Sequence, residues 1–177
     1  FEVYWEPRIM SHYCFQCGTQ LELQLRDNRE REVCPTCDWV YYAQLKVGAA
    51  VLIEQDGKLL LLQRNHEPWK GTWMVPAGYV EADEDPKDAA IREVREETGL
   101  EVELGELDHV YYFNDDPRGN GVAFVYKAEK ISGEIKLNSE SNVAKYFLWH
   151  EIPSDLTKGG HDKMIAEWQR QVQQKEV

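Results

Sequence analysis

Length, composition and charge narrow the classes of protein to which this chain can belong. Its 177 residues suffice for one well-buried domain and a small appendage, and 42% of them are hydrophobic. No apolar run in the sequence approaches the length of a membrane-spanning helix. The formal net charge of −12 opposes unassisted binding to nucleic acid or to anionic membranes. We therefore expect neither partner, while homodimer formation is left open.

The first residues, FEVYWEPRIMSHY, lack the basic segment and apolar core of a secretory signal. A chain that is not exported stays in the reducing cytoplasm, where thiols remain reduced. We therefore expect a cytoplasmic protein, and this expectation decides how its cysteines are interpreted.

All four cysteines precede residue 45, in two Cys-x2-Cys pairs: Cys14, Cys17, Cys34 and Cys37. This spacing is typical of a tetrahedral zinc site. Between the pairs, LELQLR alternates like a strand and RDNRE has the composition of a turn, which together predict a zinc-ribbon hairpin over residues 10–45. Two disulfides or four buried thiols are the alternatives. A reducing compartment and a segment too small for its own core disfavour both, so we predict a closed, structural Zn²⁺ site.

Residues 46–177 alternate between strand and helix patterns and predict one domain of the α/β (α+β) class. VGAAVLIE and LLLLQR are predicted strands separated by a turn at Gly57, and VELGELDHVYYF, GVAFVYKAE and AKYFLW are later ones. After Gly160, apolar residues at helical spacing predict a C-terminal amphipathic helix: Met164, Ile165, Trp168 and Val172.

A helix over 86–98 carries the strongest local signals in the chain. Asp85 has the character of an N-cap, Pro86 occupies the first helical position, and Gly99 stands just past the end. These signals predict a helix with both ends defined by its own sequence.

Three glutamates on that helix oppose its stability. Glu93, Glu96 and Glu97 stand at i, i+3 and i+4, so they share one face near the C-terminal end. Like charges at this spacing repel, and the helix dipole disfavours anions there. We therefore expect a cation to bind this face. A solvated acidic face balanced by Arg92 and Arg95 is the alternative.

The whole stretch runs Gly78, five residues, Glu84, seven residues, then REVREETGL. This pattern resembles the signature of the Nudix hydrolases, with every defining position filled. The resemblance implies an α/β/α sandwich with a mixed β-sheet, in which the signature forms a loop–helix–loop. The four-cysteine segment resembles the ribbon of a subgroup that includes NADH pyrophosphatases and FAD or ADP-ribose pyrophosphatases.

The resemblance also implies an activity and the residues that carry it. The family cleaves a nucleoside diphosphate linked to another group, using water and Mg²⁺ or Mn²⁺. Glu93, Glu96 and Glu97 match the metal-binding glutamates of the family, and Glu93 is also a candidate base. Arg92 and Glu84 match residues that brace the signature helix.

Two further ligands follow from the resemblance alone. The backbone carbonyl of Ala77 matches a main-chain metal ligand of some members. Glu140 resembles a loop glutamate that supplies a further ligand or base in several relatives. Relatives often carry a second glutamate where this chain has Val143, so a solvated loop carboxylate is the alternative for Glu140.

The substrate preference is predicted from a segment of the NADH pyrophosphatases that this sequence lacks. NADH pyrophosphatases carry a Ser-Gln-Pro-Trp-Pro-Phe-Pro segment after the signature, and residues 101–125 lack it. We therefore expect ADP-ribose or FAD to be preferred over NADH, with residues 111–121 sorting the attached group. Nucleoside triphosphate hydrolysis is one alternative, and a non-enzymatic sensor that binds through the zinc ribbon is another. The intact set of glutamates favours catalysis.

Overall fold

The structure is a computed structural model that describes residues 12–175. The predicted ribbon starts at Met10, which lies with Ser11 outside the described residues. Contacts divide the chain between Gln44 and Leu45 into two units, which are described separately.

The first unit is a three-stranded antiparallel sheet in the order β1-β2-β3. Its strands are β1 (Glu22–Arg26), β2 (Arg29–Val33) and β3 (Val40–Tyr41). Asp27 and Asn28 join β1 to β2 with φ values of 50° and 61°. Two consecutive left-handed residues form the tight hairpin turn that matches strand twist, and Asp and Asn tolerate that conformation. The predicted hairpin is therefore present.

The second unit is built on a mixed sheet that, within the described residues, has seven strands. The strands are β4 (Lys46–Gln55), β5 (Lys58–Arg64), β6 (Trp73–Met74), β7 (Ala77–Tyr79), β8 (Glu101–Phe113), β9 (Gly121–Ser132) and β10 (Ser141–Leu148). The order is β10-β5-β4-β9-β8, with β6 beside β5 and β7 beside β4. Among these seven strands β4 and β9 pair in parallel, and the other pairs are antiparallel, so a crossover connection joins β4 to β9.

Two helices cover the two faces of this sheet, α1 (Pro86–Thr98) and α2 (His161–Lys175). On β4 the side chains alternate: Ala49, Val51 and Ile53 join the core under α1, and Ala50 and Leu52 join the core under α2. The predicted α/β/α sandwich is confirmed.

The ends of α1 follow from its own residues. The Asp85 carboxylate accepts a hydrogen bond of 2.9 Å from the Lys87 N–H, and Pro86 fills the first position. Gly99 adopts φ 71° and donates its N–H to the carbonyl of Arg95. The predicted helix bounds are reproduced.

Neither α1 nor α2, nor any other helix in residues 12–175, is long and apolar enough to cross a bilayer.

Candidate functional site

A cavity of about 300 Å³ lies in the second unit, beside the loop–helix segment that sequence analysis singled out. Its walls come from β4, β5, β7, β9, α1, residues 113–118 and residues 157–164. Segments far apart in the sequence meet here because β4 pairs with β7 along one edge and with β9 along the other.

Two of the predicted glutamates line this cavity. Glu97 is 2% exposed, and its Oε2 accepts a hydrogen bond of 3.0 Å from the Ala77 N–H at the start of β7. Glu93 lies directly over Gly78, where a Cβ would stand 2.0 Å from the Glu93 Oε1. The signature glycine is therefore required because a carboxylate occupies the space of its missing side chain.

Burial perturbs both carboxylates. The pKa of Glu97 is raised to about 8, first by burial and then by the charges of Glu93 and Glu140, which together outweigh the opposing Ala77 hydrogen bond. Burial also raises the pKa of Glu93, although the adjacent Arg92 opposes this shift. Carboxyl groups that share a cavity and resist ionisation are typical of a functional site.

Arg92 braces the signature segment. Its guanidinium donates to both carboxylate oxygens of Glu84 at 2.8 Å, to Glu93 at 2.7 Å and to the carbonyl of Tyr79 at 3.0 Å. These contacts raise the pKa of Arg92, chiefly through Glu84, so it stays charged. One side chain thus joins the loop before α1 to the middle of the helix.

The remaining predicted residues differ in their placement. Glu140 lines the cavity because the Asn65 N–H donates to its carbonyl at 2.7 Å, which holds the start of β10 beside the end of β5. Ala77 also lines the cavity. Glu96 does not; its side chain is 56% exposed and pairs with Arg92 at 3.3 Å.

The donors in the cavity suit a hard divalent cation. Glu93, Glu97 and Glu140 offer carboxylate oxygens, which Mg²⁺ and Mn²⁺ prefer. Their mutual repulsion and the raised pKa of Glu97 are what a bound cation would relieve. Their oxygens do not converge as closely as the cysteine sulfurs, which form the one tight set of three or more such donors within residues 12–175.

A second group of polar residues lines the same cavity, and two of them, Asp116 and Arg118, lie within residues 111–121, which the sequence predicts to contact the attached group without singling out either residue. Asp116 is buried and holds Arg118 through contacts of 2.7 and 2.9 Å. Burial opposes ionisation of Asp116, but these hydrogen bonds outweigh it and lower its pKa. The Arg118 guanidinium lies 5.9 Å from the Trp69 ring and 5.7 Å from the Tyr79 ring. The only signal was the loop NDDPRGNG, which reads first as a turn.

Two more polar residues of this group are Arg64 at the end of β5 and His161 at the start of α2. No local pattern marked either one. Arg64 stands two residues after a run of four leucines. His161 is the first residue of a helix that is predicted only by its apolar spacing.

In the first unit, the four cysteines converge. The Sγ atoms of Cys14 and Cys37 are 3.4 Å apart, those of Cys17 and Cys34 are 3.5 Å apart, and those of Cys17 and Cys37 are 3.7 Å apart. All four are free thiols. Tetrahedral Zn–S bonds of about 2.3 Å imply sulfur separations of about 3.8 Å. The geometry therefore fits a zinc ion held by four thiolates.

Comparison with known proteins matches both units. The family model described as NUDIX domain matches residues 42–168, and the model described as Nudix N-terminal, a zinc ribbon, matches residues 12–43. An ADP-ribose pyrophosphatase of Methanocaldococcus jannaschii is 35% identical over 130 residues, covering 73% of this chain and 76% of that protein.

Two further similarities extend over more of the chain. An NAD-capped RNA hydrolase of Pseudomonas aeruginosa is 32% identical over 144 residues, 81% of this chain but 50% of that protein. This chain thus spans half the length of that relative. The crystal structure of a NUDIX hydrolase from Nitrosomonas europaea superimposes with a TM-score of 0.77 at 30% identity, over 89% of this chain and 90% of the other.

Proposed function

Because the chain belongs to the Nudix family of hydrolases, we propose that it is a metal-dependent enzyme that hydrolyses the pyrophosphate bond of a nucleoside diphosphate derivative. The observation that carries this proposal is the cavity lined by Glu93, Glu97 and Glu140, with Glu93 against Gly78 and arginines on the same walls. A pyrophosphate site needs carboxylates that bind a metal cation and positively charged side chains that bind the pyrophosphate anion.

The proposed domains are a zinc ribbon over residues 10–45 and the hydrolase domain over 46–177. All catalytic groups in the proposal belong to the second domain. The ribbon holds Zn²⁺ through Cys14, Cys17, Cys34 and Cys37, with no position left for a substrate because four thiolates complete a tetrahedral shell.

The proposed ligands of the catalytic Mg²⁺ or Mn²⁺ are Glu93, Glu97, the carbonyl of Ala77 and Glu140, with Glu96 at the exposed rim. When bound, the cation supplies positive charge that neutralises the pyrophosphate. Burial of Glu97 makes this ligand the most dependent on that charge, since its pKa without a cation is about 8.

The residues of the chain then have separate roles. In the proposed reaction a water oxygen attacks one phosphorus, the bridging P–O bond breaks, and both halves leave as monophosphates. Glu93 accepts the proton of the attacking water, because its burial raises its pKa and so its basicity. Arg92, 2.7 Å from the Glu93 Oε1, is a positioning residue that fixes the direction of this carboxylate.

The proposed substrate is a small dinucleotide-like compound, with ADP-ribose or FAD preferred over NADH, in a reducing cytoplasm. The similarity to the ADP-ribose pyrophosphatase of Methanocaldococcus jannaschii supports ADP-ribose as a substrate. The net charge of −12 disfavours a nucleic-acid substrate. The four free thiols are consistent with a reducing compartment.

The test is a comparison of kcat/KM for ADP-ribose, FAD, NADH, NAD-capped RNA and nucleoside triphosphates under one Mg²⁺ or Mn²⁺ condition. We expect ADP-ribose or FAD to give the highest value, with AMP and a second monophosphate as products. A clear preference for NADH or for NAD-capped RNA would refute the ranking. Activity confined to nucleoside triphosphates would refute the substrate class.

A further inference from the structure

The Arg64 guanidinium is a buried charge with no carboxylate of residues 12–175 within ion-pair distance. The residue is 7% exposed. Its Nε donates to the Pro68 carbonyl at 2.7 Å, its Nη2 to His66 Nε2 at 2.7 Å, and its Nη1 approaches the Met74 Sδ at 3.8 Å.

None of these partners of Arg64 carries a negative charge. Burial, and then the charge of Arg118, lower the pKa of Arg64, and the more distant charges of Glu140, Glu97 and Asp116 offset this only in part. A buried charge is costly unless an opposite charge reaches it. Because Arg64 lines the cavity, a ligand anion can supply the missing charge.

His161 has an unsatisfied nitrogen in the same cavity. Its Nδ1 is buried and has no hydrogen-bond partner among residues 12–175. Burial lowers the pKa of His161 to about 4, with Arg64 as the next cause, so the imidazole is neutral near pH 7. A buried polar atom without a partner costs about 1–3 kcal/mol, and a neutral imidazole suits a hydroxyl group.

We propose that Arg64 and His161 form a sugar-phosphate subsite, in which Arg64 binds a phosphate and His161 binds a hydroxyl of the attached sugar. The inference rests on the proposed function and narrows its substrate to one whose second half is a pentose phosphate. ADP-ribose therefore ranks above FAD.

The subsite is tested by binding, without turnover. Ribose 5-phosphate, AMP and inorganic phosphate are titrated calorimetrically into the full chain in the presence of EDTA. We expect Arg64→Met to weaken binding of ribose 5-phosphate at least tenfold and binding of AMP less than twofold. We expect His161→Phe to abolish the preference of the protein for ribose 5-phosphate over inorganic phosphate.

Arg95→Met is the matched control, because Arg95 is exposed, pairs with Glu101 at 2.8 Å and lies outside the cavity. It should leave all three affinities unchanged. Equal losses for AMP and ribose 5-phosphate in Arg64→Met would assign Arg64 to the nucleotide half and overturn the inference.

A wild-type measurement keeps the inference testable if Arg64→Met does not fold. Ribose 5-phosphate should bind the wild-type chain at least tenfold more tightly than ribose or inorganic phosphate, and failure to do so overturns the subsite. This result is independent of the proposed reaction, whose own failure would appear as a lack of hydrolysis of every nucleoside diphosphate derivative.

Discussion

Replacing Glu97 with glutamine should make the metal-free protein more stable near neutral pH and, at the same time, inactive. The carboxyl group is 2% exposed, and burial raises its pKa from 4.5 to about 8. In the unfolded chain this group has released its proton above pH 4.5, whereas the folded chain keeps it up to about pH 8. Unfolding in this window releases a proton, so the stability of the wild type falls as pH rises through it.

The size of the effect follows from the width of the window. Each pH unit above 4.5 costs about 1.4 kcal/mol, so the carboxyl group destabilises the fold by up to about 3 kcal/mol at pH 7. Glutamine removes this cost and keeps a neutral carbonyl for the Ala77 N–H, as the protonated Glu97 does at this pH. The net gain is about 3 kcal/mol at pH 7, which raises Tm by about 6–12 °C.

The assay is thermal unfolding in EDTA at pH 5 and pH 7, with turnover measured separately. At pH 5 the stabilisation should shrink to less than about 1 kcal/mol, because the unfolded wild type gains little free energy from releasing its proton so close to pH 4.5. Saturating Mn²⁺ should stabilise the wild type and not Glu97→Gln, because only the wild type keeps the full set of ligands. Turnover should fall on the order of a hundredfold or more.

Glu96→Gln is the matched control, one position earlier on the exposed rim of the same helix. Its stability should stay within about 0.5 kcal/mol of the wild type at both pH values. The reasoning is refuted if Glu97→Gln is less stable than the wild type at pH 7 in EDTA, or if its advantage is the same at pH 5. A variant that unfolds yet keeps its specific activity would remove Glu97 from the site.

Two further perturbations test other parts of the molecule. Gly78→Ala places a Cβ 2.0 Å from Glu93 Oε1 and must displace that carboxylate, so kcat should fall by about tenfold or more. Gly105→Ala is the control, because its Cβ meets only the Lys127 carbonyl at 3.4 Å, and it should leave kcat unchanged. Equal activity of both variants would contradict the placement of Glu93. Metal analysis should find one zinc per chain. The variant Cys34→Ser should increase hydrogen exchange in residues 12–44 far more than in residues 45–175. A disulfide such as Cys14–Cys37 in protein from a reducing cytosol would contradict the zinc site.

The features that could be predicted from the sequence are those encoded over short distances. Asp85, Pro86 and Gly99 set the ends of α1 because each acts on backbone groups within one turn of itself. The four cysteines point to zinc because ligand spacing within each Cys-x2-Cys pair is itself local. The turn at Asp27 and Asn28 likewise depends on two adjacent residues.

Only the tertiary structure decided how the signature glutamates differ. Glu96 and Glu97 are adjacent in the sequence, yet one is exposed and the other buried against β7. Spacing along a helix places both on nearby faces but does not reveal which face the sheet covers. The raised pKa of Glu97 is therefore a property of packing, since burial is its main cause.

Of the opposite walls of the cavity, only Glu140 and the segment 111–121 were predicted, and Glu140 through the family resemblance alone. Arg64, Arg118, Glu140 and His161 come from four segments that carry no shared pattern, and each is brought to the cavity by sheet pairing or by the docking of α2. The sequence alone determined where the catalytic helix begins and ends and which carboxylates it carries, because caps and helical spacing act locally. Which charges meet across the cavity was decided by long-range packing, because burial and distance between remote side chains exist only once the sheet has formed.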